Sequence, residues 1–341
     1  MFTLTDFTQH ISDALILSML SLSLSILFTP IYTYFAYKHK LWKRSRTHST
    51  TGDELKVISS LRIKRNIPLM AGVVTIIATT IVTVMFNLDR AQTWLPLAAL
   101  IGGGAVGFID DIINVRGGGG NVAGLRPKIK LLMVITVSAI AAWFFYYKLG
   151  YNSILLPFVG EFYIGALLIP LFILVVVSTS NAVNISDGMD GLAGGCLISA
   201  FGAFAVISAL QGNFGISGFC LTVVGALLSY VWFNIPPARF IMGDVGSFSL
   251  GMTLGVIAML TDTLVLLPLI AIVFVAEAGS SLLQILSKKI LGKKIFLAAP
   301  IHHHYNAQGW PKTKVTMRFW VISQVSAALG VALALIGGFI K

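Results

Sequence analysis

Two adjacent carboxylates, Asp110 and Asp111, stand in the stretch GFIDDIINVR, where an apolar run ends. Neighbouring carboxylates repel each other, so a bound cation or a shared proton is needed to keep both in place. The glycine run 117–120 can wrap a phosphate with its N–H groups, but it lacks the Gly-Lys-Ser/Thr of a P-loop and is more typical of a flexible connector. Lys128 and Lys130 open the next apolar run, where they can reach a phosphate or anchor a helix at a membrane surface.

The stretch NAVNISDGMDGLAGG carries polar side chains at every third position. On a helix, this spacing would place successive members on one face. Oxygen-bearing side chains so close together suit Mg²⁺, or the ribose and base edge of a nucleotide. One aspartate can cap a helix, but capping does not account for all four residues. They are Asn181, Asn184, Asp187 and Asp190.

A third acidic position, Asp244, lies between glycines in IMGDVGS, after the Pro236-Pro237 pair that ends the preceding apolar run. It falls at the predicted start of a helix, near the positive end of the helix dipole. A single aspartate there is more often a cap than a ligand. The two other acidic stretches at similar helix ends favour a ligand here.

Three consecutive histidines, His302, His303 and His304, occur in PIHHHYNAQGWPKTKVTMRFW, together with two lysines and an arginine. Adjacent side chains diverge, so the three are poorly suited to bind one metal ion. As neutral or cationic imidazoles they can donate hydrogen bonds to a diphosphate. The alternative is a polar loop at the level of the lipid headgroups.

The elements that must position these groups are predicted to be membrane helices. Of the 341 residues, 56% are hydrophobic and 11% are charged, and the mean hydropathy is +0.88. Backbone groups must pair internally in lipid, and apolar runs of spanning length recur, which favours helices over a β-barrel. We expect an all-α polytopic membrane protein with about ten transmembrane helices in a single integral-membrane domain, 1–341. The predicted helices are 14–37, 67–87, 94–109, 128–146, 162–180, 191–209, 215–233, 246–260, 262–286 and 317–340.

The positive charges predict the orientation of these helices. With the N-terminus outside and ten alternating helices, all but three of the 24 Lys and Arg residues fall on the inner side. The exceptions are Arg90, Lys148 and Lys341. Both termini then lie outside, and the acidic stretches and histidines share the cytoplasmic face. The net charge of +11 is concentrated there, which suits anionic headgroups or a polyanionic substrate. No nucleic-acid partner is expected.

The order of these stretches resembles that of a known family, the polyprenyl-phosphate N-acetylhexosamine-1-phosphate transferases of glycosyltransferase 4 type. The likeness spans roughly residues 64–340, and the histidine block resembles the branch acting on a muramoyl-pentapeptide. The resemblance implies a Mg²⁺-dependent enzyme of the bacterial plasma (inner) membrane that works in peptidoglycan synthesis, and so in cell wall biogenesis and cell shape. The implied reaction moves phospho-N-acetylmuramoyl-pentapeptide from UDP-MurNAc-pentapeptide to undecaprenyl phosphate and releases UMP. A homodimer is usual in the family.

The resemblance also implies roles for individual residues. The catalytic positions it implies are Asp110, Asp111 and Asp244, of which Asp244 is also the magnesium ligand. The implied substrate-binding positions are Lys64, Lys130, Asn181, Asn184, Asp187, Asp190, Asn234, Gln284, His302, His303 and His304.

Three places depart from the family pattern. In NIPLMAG, two threonines and a glycine of the family are replaced by Ile67, Leu69 and Ala71. Ile241 stands where the family usually has a phenylalanine, with Phe240 one step earlier. Lys312 replaces an acidic residue. These departures suggest a divergent member with an altered peptide or nucleotide pocket.

Other functions stay open at this point. A related N-acetylglucosamine-1-phosphate transferase would share the acidic stretches. An intramembrane prenyltransferase also uses aspartates with Mg²⁺, but its usual Asp-x-x-x-Asp spacing differs from that of Asp187 and Asp190, and it has no use for three histidines. A divalent-cation transporter needs carboxylates at mid-membrane, where the sequence offers only Glu277.

Overall fold

The computed structural model describes residues 4–42, 67–117 and 124–340. Within these ranges the chain is helical apart from one β-hairpin and the connecting turns. The elements are α1 (Leu4–Lys38), α2 (Gly72–Phe86), α3 (Trp94–Arg116), α4 (Pro127–Trp143), β1 (Ser153–Leu156), β2 (Gly160–Tyr163), α5 (Leu168–Ser186), α6 (Leu192–Leu210), α7 (Phe214–Asn234), α8 (Gly243–Leu260), α9 (Leu267–Ile270), α10 (Ile272–Leu291), α11 (Ile301–Ala307) and α12 (Lys312–Ile336).

Each of the ten predicted helices has a counterpart among these elements, and the polytopic helical fold is confirmed. Over the described ranges, eight helices are long and apolar enough to cross a membrane. A ninth span forms if residues 264–270 and α10, which meet at an 83° bend, count as one. The remaining counterpart, α2, is apolar but only 15 residues long. Short and broken helices of this kind are tolerated where neighbouring protein satisfies the backbone.

The hairpin of β1 and β2 was not expected from the sequence. Its strands pair antiparallel, and it occupies the connection between α4 and α5. The backbone N–H of Leu155 donates to Oδ1 of Asp262 (3.0 Å), and the Tyr151 hydroxyl donates to the carbonyl of Leu260 (3.1 Å). Burial, with a contribution from Asp262, raises the pKa of Tyr151 above its usual range. One aspartate at the end of α8 therefore anchors the hairpin.

Helix α8 is the centre of the fold, and all of its residues except Asp244 are buried. Glycines bring its neighbours to backbone contact. A Cβ placed on Gly107 of α3 would lie 2.1 Å from the Asp244 carbonyl oxygen, and one on Gly72 of α2 would lie 2.3 Å from Cα of Gly246. Membrane helices lack a strong hydrophobic drive to associate, so small residues that allow close packing are a main source of affinity between them. These contacts fix where α8 begins.

Candidate active site

Helix α3 contributes Asp110 and Asp111. It continues to Arg116, past the predicted end, so both carboxylates lie within the helix and both are buried. Oδ1 of Asp110 accepts from the N–H of Leu125 (2.6 Å), and Oδ2 of Asp111 accepts from the N–H of Val245 (2.9 Å). Asp111 thus satisfies an N–H in the first turn of α8, where negative charge is favoured.

Asp244 lies in that same first turn of α8, as the sequence predicted. The preceding Gly243 has φ +79°, and a Cβ on it would lie 2.6 Å from Oδ2 of Asp111. Glycine is therefore required both by the backbone conformation and by the space that Asp111 occupies.

The three aspartates converge on one point. Ligand oxygens of Asp110, Asp111 and Asp244 all lie within 4.8 Å of one another. Nζ of Lys130, from the first turn of α4, donates to Oδ2 of Asp110 (2.9 Å) and to Oδ2 of Asp244 (2.5 Å). Three carboxylates outweigh one ammonium, and their hard oxygen atoms are the ligands that Mg²⁺ and Ca²⁺ prefer. The cluster can hold a metal ion.

Helix α5 adds Asn184 to the same cluster. Its Nδ2 donates to Oδ1 of Asp244 (3.0 Å) and to Oγ of Ser247 (2.9 Å). Asn181, one turn earlier, donates instead to the carbonyl of Val177 in its own helix (2.8 Å). Of these two asparagines of α5, Asn184 is the one whose side-chain hydrogen bond reaches the acidic cluster.

Asp187 and Asp190 do not continue the helical face that their spacing suggested, because α5 ends at Ser186. They lie in a turn, 187–191, in which Oδ2 of Asp190 accepts from the N–H of Ala238 (3.2 Å). Asn234 ties this turn to the next loop. Its Oδ1 accepts from the N–H of Gly191 (2.7 Å), and its Nδ2 donates to the carbonyl of Phe240 (2.8 Å).

The three histidines occupy a short helix, α11, and have different surroundings. His302 is completely buried, and its Nδ1 lies 2.7 Å from Oε2 of Glu277. Nδ1 of His304 accepts from the N–H of Leu297 (3.2 Å), and its Nε2 lies 3.1 Å from Nε2 of Gln308. His303 is half-buried, with its ring centroid 4.1 Å from that of His302.

One face of α10 holds the segment that leads into α11. Four buried polar side chains, spaced three, four and three residues apart, form what we term the polar stripe: Glu277, Ser280, Gln284 and Ser287. Oγ of Ser280 accepts from the N–H of Ile301, and Oγ of Ser287 donates to the carbonyl of Lys293. Gln284 Oε1 accepts from two backbone N–H groups and its Nε2 donates to the Phe296 carbonyl (2.9 Å). Gln284, predicted to bind substrate, is thus bonded to this segment.

The departures from the family pattern fall largely in packed surroundings. Leu69 is buried in a small apolar cluster with Met70 and Val245, against which Ile241 packs. Phe240 is also buried, and its ring contacts those of Tyr32, Tyr230 and Phe233. Lys64 lies outside the described residues.

Two residues of this region were not among the predicted site positions. Glu277 carried a signal, a single carboxylate in an apolar run, but its partner His302 is 25 residues away. Ser247 carried none, because a serine inside an apolar helix usually bonds its own backbone. It does so with the Gly243 carbonyl (3.0 Å), besides accepting from Asn184.

The fold and site define a polytopic membrane protein with three clustered carboxylates and a lysine, and its sequence places it among the glycosyl transferases of family 4. The sequence model of glycosyl transferase family 4 matches residues 93–262, which include Asp110, Asp111 and Asp244. Comparison over nearly the full length of the chain identifies a more specific group of relatives. The phospho-N-acetylmuramoyl-pentapeptide-transferase of Chloroflexus aggregans is 38% identical over 97% of this chain and 92% of its own length, and that of Chloroflexus aurantiacus is 37% identical over the same shares. The chain therefore belongs to the phospho-N-acetylmuramoyl-pentapeptide-transferase family.

Proposed function

We propose that this multi-pass membrane enzyme transfers phospho-N-acetylmuramoyl-pentapeptide from its UDP-linked form to undecaprenyl phosphate, releasing UMP. The observation that carries the proposal is the convergence of three aspartates and Lys130, from three helices, in a chain belonging to a family named for this transfer. The product is a lipid-linked precursor of peptidoglycan.

The chemistry exchanges one phosphoanhydride bond for another. An oxygen of the lipid phosphate attacks the β-phosphorus of the nucleotide sugar, the bond from that phosphorus to the α-phosphate oxygen breaks, and UMP leaves with both bonding electrons. Phosphoryl transfer depends mainly on positioning and charge stabilisation. A phosphate monoester has a second pKa of about 6, so at neutral pH the lipid phosphate is mostly dianionic and needs little help from a base. We therefore favour direct displacement over an aspartyl-phosphate intermediate.

The residues of the acidic cluster have different roles in this transfer, according to their positions. Asp110 or Asp111 would deprotonate or orient the lipid phosphate, and Lys130, which bonds to Asp110 and Asp244, would hold phosphate. Asp244, held by Asn184, is the proposed magnesium ligand. Bound there, Mg²⁺ would offset the charge that accumulates on the diphosphate.

The remaining predicted positions surround this centre in the proposal. The turn 187–191 faces the nucleoside or sugar, with Asn234 holding its backbone. At least one histidine of α11 would donate to the diphosphate, and the sequence leaves open which of the three it is. A cytoplasmic active site, external termini, one domain and a homodimer stay predictions; cysteine labelling from either side of the membrane, and light scattering of the purified protein, test the topology and the dimer.

The test is release of UMP by purified protein supplied with a polyprenyl phosphate and either UDP-MurNAc-pentapeptide or UDP-GlcNAc. We expect kcat/KM to favour the pentapeptide substrate by more than about tenfold, equal to about 1.4 kcal/mol at the transition state. Glu161→Gln in β2 is a control that removes a carboxylate away from the predicted site. Release of UMP with UDP-GlcNAc alone would assign the chain to the N-acetylglucosamine branch, and no UMP release with either would reject the transferase.

A further inference from the structure

The ionisable member of the polar stripe of α10 is Glu277, and the proposed reaction does not use its carboxylate. Its Oε2 pairs with Nδ1 of His302 at 2.7 Å, and both side chains have no exposed surface. The second carboxylate oxygen and the second ring nitrogen, Nε2, are also buried, and neither has a hydrogen-bond partner among the described residues.

Such an arrangement contributes poorly to stability. Burying a carboxylate is unfavourable unless its oxygens are well paired, and here one of the two is not. An apolar pair of the same volume would hold α10 against α11 at lower cost. Ionisable groups inside membrane proteins are usually functional, which directs attention to what the pair positions.

An ionised Glu277 would determine which nitrogen of His302 carries the proton. The oxygens of an ionised carboxylate only accept hydrogen bonds, so the nitrogen that faces Glu277 carries the proton. A carboxylate in this position also fixes the plane of the ring. Nε2 is then directed away from Glu277, in one defined protonation pattern.

Nε2 points at the turn that carries the second pair of aspartates. A Cβ placed on Gly188 would lie 2.4 Å from Nε2 of His302 and 2.8 Å from its Cε1. The ring edge therefore packs directly on the backbone between Asp187 and Asp190. His302 stands between a buried carboxylate on one side and the turn 187–191 on the other.

We propose that Glu277 is a positioning residue for the transfer reaction. It fixes the tautomer and the ring plane of His302. His302 then fixes the backbone position of the turn 187–191 and holds its own Nε2 at the edge of the substrate site. The inference rests on the proposed function, because phosphotransfer is the readout for the geometry of that turn.

The first variant is Glu277→Gln, which preserves shape. A glutamine amide can accept from Nδ1–H or, after rotation, donate to Nδ1, so it no longer specifies the tautomer. We expect kcat for UMP release to fall roughly tenfold or more while KM for UDP-MurNAc-pentapeptide changes less than about threefold, because the ring keeps its place. Glu161→Gln in the hairpin makes the same chemical change and should leave kcat unaltered.

A second variant perturbs the same ring from its other side. Gly188→Ala forces the ring and the turn apart, so KM should rise as well as kcat fall. The double variant with Glu277→Gln should have a kcat close to that of the worse single variant, because residues that act through one group are not additive. Multiplicative losses would overturn the proposal, as would a folded Glu277→Gln protein with kcat within about twofold of the wild type.

Nitrogen-15 NMR of histidine-labelled protein gives a readout independent of turnover. The chain has six histidines, and the His302 signal is assigned by its loss in His302→Ala. We expect a protonated Nδ1 in the wild type, and an unprotonated Nδ1 would overturn the proposal even if Glu277→Gln fails to fold. If the wild-type protein releases no UMP, the proposed function fails, but this measurement still decides whether Glu277 sets the tautomer.

Discussion

The two ends of α8 use aspartates in the same elementary way, yet with different results. At its C-terminal end, Asp262 accepts one backbone N–H and fixes the hairpin. At its N-terminal end, Asp110 and Asp111 each accept one backbone N–H as well, but Asp244 joins them within 4.8 Å and Lys130 bonds to two of the three. A single carboxylate satisfies one backbone N–H, whereas three together create a negative field that a cation or a shared proton must offset. We therefore expect a catalytic role at the N-terminal end of α8 and a purely structural role at its C-terminal end.

The most direct test of this difference between the two ends of α8 is to remove divalent cations. We expect EDTA to reduce UMP release to background, because two polyanionic reactants must otherwise meet beside three carboxylates. Added Mg²⁺ or Mn²⁺ should restore it. Full turnover after thorough chelation would show that the cluster works without a metal.

Asp244→Asn should have the next largest effect, a loss of turnover of about 10²–10³-fold. The amide still fits the space but is a weaker ligand, so the Mg²⁺ concentration for half-maximal activity should rise. Asp111→Asn keeps an acceptor for the Val245 N–H and should lower turnover with less effect on nucleotide affinity. Isothermal titration of both variants with the nucleotide decides this, and an equal loss of affinity would reject the separate roles.

Lys130→Met should separate the contribution of the lysine to turnover from that of the carboxylates to the Mg²⁺ requirement. We expect turnover to fall about 10–100-fold, since a cation for the phosphates is lost. The Mg²⁺ requirement should not rise, because the Lys130 ammonium bonds to Asp110 and Asp244 and so would compete with a metal for these carboxylates. Magnesium titrations of activity measure this, and a requirement as high as that of Asp244→Asn would contradict it.

The smallest effect is expected at the other end. Asp262→Asn makes the same change as Asp244→Asn but keeps an oxygen for the Leu155 N–H, and asparagine tolerates the φ of +53° at this position. UMP release should stay within about twofold of the wild type, and the free energy of unfolding should change by no more than about 1 kcal/mol. A thermal unfolding scan and the standard assay suffice. A large loss of activity would mean that the hairpin end is coupled to the acidic cluster.

The sequence predicted the helices well because the signal for each is local. Apolar runs of spanning length mark them, and Asp110, Asp111 and Asp244 stand at their ends. The sequence predicted that the helix before the turn 187–191 ends at residue 180, but α5 continues to Ser186, because the point where it ends depends on what surrounds it.

The bonding of the polar stripe could not be predicted from local pattern. Its spacing marks one face of a helix, but the partner of that face depends on the 83° bend before α10 and on how the chain returns to α11. Gln284 was predicted to bind substrate from the family resemblance; its amide bonds to the backbone of Ile295 and Phe296, and its role toward substrate stays a prediction. The roles of the site residues themselves stay predictions until variants are measured.

The glycine contacts of α8 have a consequence for how such a chain can diverge. Because the backbones of Gly107 and Asp244 are in contact, the position of Asp244 is determined by main-chain packing. There is no space for a methyl group at Gly107. Leu69 and Ile241, by contrast, vary from the family pattern in an apolar cluster where one side chain can compensate for another. Exchanges among the apolar side chains around Leu69 can therefore be compensated by their neighbours, whereas a methyl group on Gly107 would displace the start of α8 and Asp244 with it.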